Sequence, residues 1–224
     1  MFYKKIVCLA NSRKISGKCI AGKEIETGEW IRPVSNSEHG ELNQSQIEYS
    51  NGEAPKLLDV IKISFKEKKT LFNQPENILI TEEKWEKVGV LSIDKLDSLC
   101  DNPPTIWENN ERKNDRIAED YLKKHKTGSS LFLLKLKPED INIKRTDYIE
   151  ESETIKKKIR AVFTYNGTNY DLGITDPEIK NKYIDKTPGN YKLSSKNVYL
   201  CISLGVSSPH DHYCYKLVAA IINA

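Results

Sequence analysis

Residues 155–174, with the sequence IKKKIRAVFTYNGTNYDLGI, form the stretch that decides the fold. Apolar and polar residues alternate from Ile155 to Tyr165, and Asn166-Gly167 separates this run from a second one over 169–174. Alternation with a period of two is typical of a half-buried strand, and Asn-Gly favours the tight turn of a β-hairpin. The stretch therefore predicts two antiparallel strands.

Further strand-like runs occupy both halves of the chain. They lie at residues 6–10, 17–23, 30–34 and 57–66, and at residues 130–137, 141–148, 198–204 and 213–222. Many short strands with turn residues between them favour barrels or sandwiches, and a five-stranded Greek-key barrel takes about half of this length. Residues 112–126 have the spacing of a polar helix. The pattern predicts a mainly β protein of two small barrels with a few short helices. Its units are residues 1–100, a helical connector at 101–129, and residues 130–224.

Composition limits the classes of function. The 224 residues include 35 Lys and Arg against 32 Asp and Glu, so the net charge of +3 does not by itself indicate nucleic-acid binding. The five cysteines include no Cys-x-x-Cys pair, which argues against a structural zinc site. No apolar run approaches the ~20 residues of a membrane span. We expect a cytoplasmic protein with no cofactor, no metal and no membrane contact.

Charge is nevertheless unevenly distributed along the chain. Residues 1–23 hold six Lys and Arg and no acid, and residues 154–170 hold four with Phe163, Tyr165 and Tyr170 between them. Cations that contact phosphates and rings that stack on bases are the features of a nucleic-acid surface. Lysines on a solvated strand face are the plainer interpretation of the second stretch.

Trp30 and Arg32 stand two residues apart, so on a regular strand they point to the same side. A guanidinium beside an indole offers an anion donor and a stacking face together. Gly17 and Gly22 nearby would let a ligand approach the backbone. In the alternative interpretation Trp30 belongs to the core, and Arg32 pairs with Glu24 or Glu26.

Two other groups of residues are candidates for chemistry. His210, His212 and Cys214 have metal-ligating side chains, but they follow Ser-Ser-Pro and are better explained as a solvated loop. Thr175-Asp176 precedes a helix that begins with proline, so Asp176 is expected to cap it. The start of this helix also offers a place for an anion. No phosphate-binding loop, dinucleotide motif or nucleophile elbow is present, so enzymatic activity is the less expected outcome.

Several segments together resemble a prokaryotic family described as dual-OB-containing proteins. They are VCLANSRKISGKCIAG (7–22), GEWIRPVS (28–35), LLDVIKI (57–63), LGITDP (172–177), YLCISLG (199–205) and YKLVAAII (215–222). The resemblance covers nearly the whole chain and implies two OB-type barrels. It also implies a role with nucleic acid or nucleotides, in antiviral defence or nucleic-acid metabolism. The positions it marks are Asn11, Ser12, Arg13, Lys14, Trp30, Arg32, Thr175, Asp176 and Lys216, and Lys18 joins them by charge.

Three hypotheses follow. The first is a module for single-stranded DNA or RNA, with Arg13, Lys14, Lys18 and Arg32 holding phosphates while Trp30 stacks. The second is a sensor that binds a small nucleotide between the two barrels. The third is a metal-dependent nuclease or nucleotide hydrolase that uses Asp176, although phosphoryl chemistry with two metals usually needs several carboxylates. A role beside a partner protein also stays open.

Overall fold

The computed structural model describes residues 1–14, 16–108, 113–125, 128–149 and 155–224. The first unit is a closed five-stranded barrel. Its strands are β1 (Phe2–Lys14), β2 (Gly17–Glu24), β3 (Trp30–Val34), β4 (Asp59–Lys68) and β5 (Asn77–Ile80). They follow the order β1-β2-β3-β5-β4, and β4 pairs back with β1. The short helix α1 (Gln44–Ile47) lies between β3 and β4, and β6 (Glu86–Val90) pairs with β4.

One long strand closes this barrel because β1 serves two neighbours. Its first half pairs with β4 as far as Val7, and its second half pairs with β2 across an irregularity after Cys8. Gly22 lies at this irregularity, where an added Cβ would stand 2.0 Å from the Val7 carbonyl oxygen. Gly17 likewise faces the backbone of Leu42, at 2.6 Å. Both glycines therefore admit protein backbone, and the expectation that they admit a ligand was wrong.

The second unit contains the remaining strands. They are β7 (Arg116–Ala118), β8 (Leu131–Leu136), β9 (Ile141–Ile149), β10 (Ile155–Tyr165), β11 (Thr168–Ile174), β12 (Gly189–Lys192), β13 (Val198–Ser207) and β14 (Tyr213–Asn223). The helices are α2 (Glu119–Lys124) and α3 (Pro177–Ile184). The sheet order is β12-β9-β10-β11-β14-β13-β8, with β7 on β14. The hairpin predicted at Asn166-Gly167 is confirmed by the pairing of Tyr165 with Thr168.

The second unit repeats the path of the first. β9, β10 and β11 form an antiparallel run, β11 pairs in parallel with β14, and β14 pairs with β13, just as β3 pairs in parallel with β5 and β5 with β4. β8 and β9 together take the place of β1, because β8 pairs with β13 while β9 pairs with β10. A 3-10 turn at Pro138–Asp140 separates them. The prediction of a mainly β fold with two OB-like units is confirmed.

The segment between the units is less helical than its sequence indicates. The helix expected over 112–126 is wrong for residues 116–118, which form β7, and only Glu119–Lys124 is helical; residues 112 and 126 lie outside the described ranges. The reason is Ile117, which is fully buried in the core of the second unit while β7 pairs with β14. The division at residues 1–100, 101–129 and 130–224 stays a prediction.

Each unit has its own hydrophobic core, and a third core joins the two units. From the first unit it takes Val7, Leu9, Ala10, Ala21 and Trp30, and from the second Leu131, Leu133, Tyr199, Cys201, Ala219, Ala220 and Ile222. Alanines on both sides leave room for the strands to approach closely. The outer face of β1–β3 is thus packed against β8, β13 and β14. Among the described residues, no helix has the length and apolar character to cross a membrane.

Candidate functional site

Five of the ten residues singled out from the sequence meet in one cavity between the barrels. These residues are Ser12, Arg13, Lys14, Arg32 and Thr175. The cavity has a volume of about 340 Å³, and its other lining residues are Cys19, Gln74, Ser203, Gly205, Val206, Tyr215 and Leu217. Binding sites for small molecules commonly measure about 300–1,000 Å³ and lie where domains meet. We call this cavity the cleft.

The cleft is positioned by the end of β1, which reaches across to the second barrel. The backbone N–H of Arg13 donates to the carbonyl of Thr175 at 3.1 Å, and the N–H of Thr175 donates to the carbonyl of Val218 at 2.9 Å. Side chains alternate along β1, so Ser12 is buried while Arg13 is exposed. This backbone link fixes the two cations at the end of β1 against the second barrel.

Arg32 forms the floor of the cleft and is only 2% exposed. Its Nε donates to Glu76 at 3.0 Å, and its Nη2 donates to Ser130 at 2.7 Å. Both Nη atoms also lie within 3.4 Å of Ser203 Oγ. Ser130 in turn donates to Glu76 through its backbone N–H and its hydroxyl. Arg32 and Glu76 come from the first barrel and the serines from the second unit, so this network joins the two.

The pairing of Arg32 corrects the alternatives drawn from the sequence. Its partner is Glu76, and Glu24 instead binds Lys4 at 2.7 Å. Burial alone would lower the pKa of Arg32, but Cys19 and Glu76 outweigh it and raise the pKa above its ordinary value. Arg32 is therefore a fixed positive charge beneath the cleft.

The other two cations of the cleft are Arg13, which is exposed, and Lys14, which is half-buried. Within the described part of the chain, neither Arg13 nor Lys14 forms an ion pair with a carboxylate. Burial is the main cause that lowers the pKa of Lys14 and the charge of Arg32 also lowers it, whereas Cys19 and Glu41 raise it. Three cations around one cavity form an environment that favours an anionic ligand.

Trp30 is not part of the cleft. It is 8% exposed and belongs to the core between the barrels, where its indole N–H donates to Asp101 at 3.0 Å. Lys23 lies 5.3 Å from the centre of the ring and binds the same Asp101 at 2.6 Å. Most of the ring is covered by the second unit, and the part that is not covered lines a different cavity, of about 430 Å³, beside Lys4 and Lys68. The stacking role expected for Trp30 does not fit the structure, and the alternative of a core residue does.

Asn11, Lys18 and Asp176 lie apart from the cleft, around a smaller cavity of about 120 Å³. Asp176 is 4% exposed. Its Oδ1 accepts from the N–H groups of Glu178 and Ile179, and its Oδ2 accepts from that of Ile221 at 3.0 Å. Desolvation raises the pKa of Asp176. The residue caps α3 and ties the helix to β14, as its plainer interpretation predicted.

Lys216 lies inside the second unit and is 2% exposed. Its Nζ donates to the carbonyl oxygen of Trp107 at 2.9 Å and stands 5.8 Å from the centre of the Tyr170 ring. Burial lowers the pKa of Lys216 to about 8. The structure therefore separates this lysine from the cleft, although its neighbours Tyr215 and Leu217 line it.

The residues with metal-ligating side chains are dispersed. His210 and His212 are exposed at the turn before β14, whereas Cys214 points into the core with 0% exposure. Among the described residues, no three His, Cys, Asp or Glu side chains form a group that could hold a metal ion.

The barrel order, the helix between the third and fourth strands, and the repeat of this path in the second unit all agree with one comparison. A family model described as a dual OB-containing domain matches residues 4–221. The chain belongs to this family. No curated protein matches it. As a dual OB-containing protein, it differs from the usual use of an OB barrel, in which the face of strands two and three binds the ligand. Here that face is packed against the second unit, and the cleft opens beside it.

Sequence reasoning missed several residues of the cleft. Cys19 and Ser203 stand within the segments that mark the family, but nothing in their spacing indicated a role. Gln74 and Glu76 lie in the loop between β4 and β5, where no motif draws attention to them. Gln74 donates to the carbonyl of Leu204 at 3.0 Å, so this loop closes one side of the cleft.

Proposed function

We propose that this dual OB-containing protein binds a small phosphate-bearing ligand, of the nucleotide class, in the cleft between its barrels. The observation that carries the proposal is the convergence of Arg13, Lys14 and the buried Arg32 on one cavity of about 340 Å³. Among the described residues, neither the guanidinium of Arg13 nor the ammonium of Lys14 forms an ion pair with a carboxylate, which leaves charge for a phosphate to neutralise. The wider proposal of a role in prokaryotic defence or nucleic-acid metabolism rests on the family resemblance of the sequence and not on the geometry of the cleft.

The shape of the site favours a small ligand over a polymer. Generic binding of single strands needs a groove that follows the backbone and rings on which successive bases stack. Trp30 is covered, and Tyr215 is the aromatic side chain among the residues that line the cleft. One half-buried ring and two free cations suit one nucleotide better than an extended strand.

The third hypothesis has the least support. A nuclease or nucleotide hydrolase built on Asp176 would need that carboxylate to reach a metal or a water. Both of its oxygens accept backbone hydrogen bonds instead, and it lies on the far side of β1 from the cleft. We therefore propose that the protein binds its ligand and does not catalyse a reaction on it.

The test is a thermal-shift screen with nucleoside mono-, di- and triphosphates, cyclic and linear dinucleotides, and inorganic phosphate, at 50 and 200 mM salt. A ligand that binds the folded state raises the melting temperature with its concentration. We expect saturable stabilisation by one class of nucleotide, abolished in Arg13→Ala/Lys14→Ala. The matched control is Lys66→Ala/Lys137→Ala, which removes the same charge from exposed positions outside the cleft. Stabilisation that survives loss of the cleft cations, or no stabilisation by any small phosphate, would show that the proposal is wrong.

A further inference from the structure

The second unit carries a strongly basic surface that lies apart from the cleft. Residues 155–196 contain nine Lys and Arg against four Asp and Glu, a net charge of +5 in a chain whose total is +3. The other 182 residues therefore sum to −2. The excess belongs to one segment, and the fold determines whether it is also one surface.

Three neighbouring elements bring these charges together at the end of α3. β9 pairs with both β10 and β12, and α3 packs on β10. Lys157 of β10 binds Asp185, the residue that ends α3, at 2.9 Å. Lys182 and Lys186 follow one helical turn apart, and Lys192 ends β12. We call the surface formed by Lys157, Lys182, Lys186, Tyr191 and Lys192 the α3 face.

Aromatic rings lie among these cations. Tyr183 is 3% exposed and packs its ring 5.5 Å from that of Tyr191, which is half-buried. The Nζ of Lys186 stands 4.6 Å from the centre of the first ring and 4.8 Å from that of the second. Tyr191 also donates its hydroxyl to the carbonyl of Thr187 at 2.6 Å. A half-buried ring that packs against a second, tilted ring and has a lysine over it combines an aromatic surface with positive charge, the two features that bind a base and its phosphate.

Most of this charge is not neutralised within the protein. In the described ranges Lys182, Lys186 and Lys192 form no ion pair, whereas Lys157 is paired with Asp185. Beneath them lies Arg145, 4% exposed and opposite Gly189 in the sheet. Its Nη1 stands 2.7 Å from Asp147, and its Nε has no hydrogen-bond partner among the described residues. Lysines at a helix C-terminus also favour the helix dipole, but Lys192 lies on β12, away from any position in a helix.

We propose that the α3 face binds the backbone of single-stranded nucleic acid, with Lys182, Lys186 and Lys192 on phosphates and Tyr191 under a base. Nucleic acid is favoured over an anionic membrane because the face is lined with tyrosine and lysine. The exposed apolar side chains Ile149 and Ile155 stand in sequence on either side of residues 150–154, which contain three glutamates. The proposal stands independently of the ligand of the cleft.

The test is fluorescence anisotropy with labelled 12-nucleotide homopyrimidine DNA and RNA at 50 and 200 mM salt. We expect the protein to bind with an affinity that falls as salt rises. Lys182→Ala/Lys186→Ala should weaken binding at least five-fold and reduce the slope of log affinity against log salt by about 1.4, since each lost phosphate contact on a single strand contributes about 0.7. Lys66→Ala/Lys137→Ala should leave affinity within two-fold, and equal melting temperatures show that each variant is folded.

Two further variants separate this surface from its alternatives. Tyr191→Ala should weaken binding while Tyr191→Phe retains it, because the ring and not the hydroxyl stacks. Arg13→Ala/Lys14→Ala should leave the affinity for the oligonucleotide within two-fold. The inference is overturned if the unaltered protein binds no oligonucleotide, if the control pair weakens binding as much as the α3 pair, or if only the cleft variant does. It is also overturned if vesicles with 30% anionic lipid compete fully with the oligonucleotide for the α3 face.

Discussion

The two barrels share a strand order but bury their cations in different ways. In the first, Arg32 is matched by the carboxylate of Glu76 and by serines of the other unit. In the second, Lys216 has the carbonyl of Trp107 as its partner, and Gly173 begins the parallel strand pair at the place where Arg32 does so in the first. One buried charge is paired and joins the two units. The other lies inside one unit and forms no ion pair among the described residues, although the charge of Asp115 acts on it.

The largest effect is expected when the paired cation, Arg32, is removed. Arg32→Met would leave Glu76 buried without its partner, and breaking a buried ion pair costs about 3–5 kcal/mol. We expect a loss of that size in the free energy of unfolding, measured by urea titration. Arg32→Met/Glu76→Gln should recover part of the loss because no uncompensated charge remains. Arg13→Met, at an exposed arginine, serves as the control. A loss no greater than that of the control would mean that the pair does not hold the units together.

A smaller effect is expected from two strand glycines, one in each barrel, that have different surroundings. Gly22→Ala brings a methyl group to within 2.0 Å of the Val7 carbonyl oxygen, a contact that only a backbone shift can relieve. Overpacking of this kind costs about 1–3 kcal/mol. Gly173→Ala meets only the side chain of Leu217, at 3.6 Å, and should be nearly neutral. Thermal melts of the two variants check the difference, and equal losses would contradict the tighter closure of the first barrel.

The smallest effect is expected from substitution of Lys216, and it is a gain in the free energy of unfolding instead of a loss. Because burial lowers the pKa of Lys216 to about 8 from 10.5, the unfolded chain binds more protons between these values. Stability should therefore rise with pH across that window and fall as pH drops through about 8. Lys216→Met should flatten this rise and stabilise the protein at pH 7 by about 1–2 kcal/mol. One pKa unit corresponds to about 1.4 kcal/mol, so removing the buried charge gains about 3 kcal/mol, and leaving the Trp107 carbonyl without its donor costs about 1–3 kcal/mol of that gain. Urea titrations at pH 7 and pH 10 measure both changes. A variant that keeps the pH dependence would place its origin elsewhere.

Local patterns in the sequence predicted most of the fold. The alternation of apolar and polar residues predicted β10 and β11, and Asn166-Gly167 predicted the turn between them. Both signals were sufficient because strand alternation and turn preference depend on only a few neighbouring residues. The helix over 112–126 was wrong because Ile117 is drawn into the core of the second unit, a tertiary preference that local spacing does not contain.

The candidate site was predictable only in part. The cations at the end of β1 and Arg32 were found because they cluster in the sequence. The ion-pair partner of Arg32 lies 44 residues away in a loop, and its serine partners are 98 and 171 residues away. The burial of Trp30 depends on the second unit as well, so no inspection of residues 28–35 could distinguish a stacking platform from a core residue.

The core between the units has a consequence for synthesis on the ribosome. Leu9, Ala21 and Trp30 emerge early, but Leu133, Tyr199 and Ile222, which cover them, emerge late. About 140 residues separate the end of β5 from Ile222, and at ~5–20 residues per second the first barrel waits roughly 7–30 s with that apolar face uncovered. A nascent chain of this protein is therefore a natural client for ribosome-associated chaperones, and codons that slow translation of the second half would lengthen its exposure to aggregation.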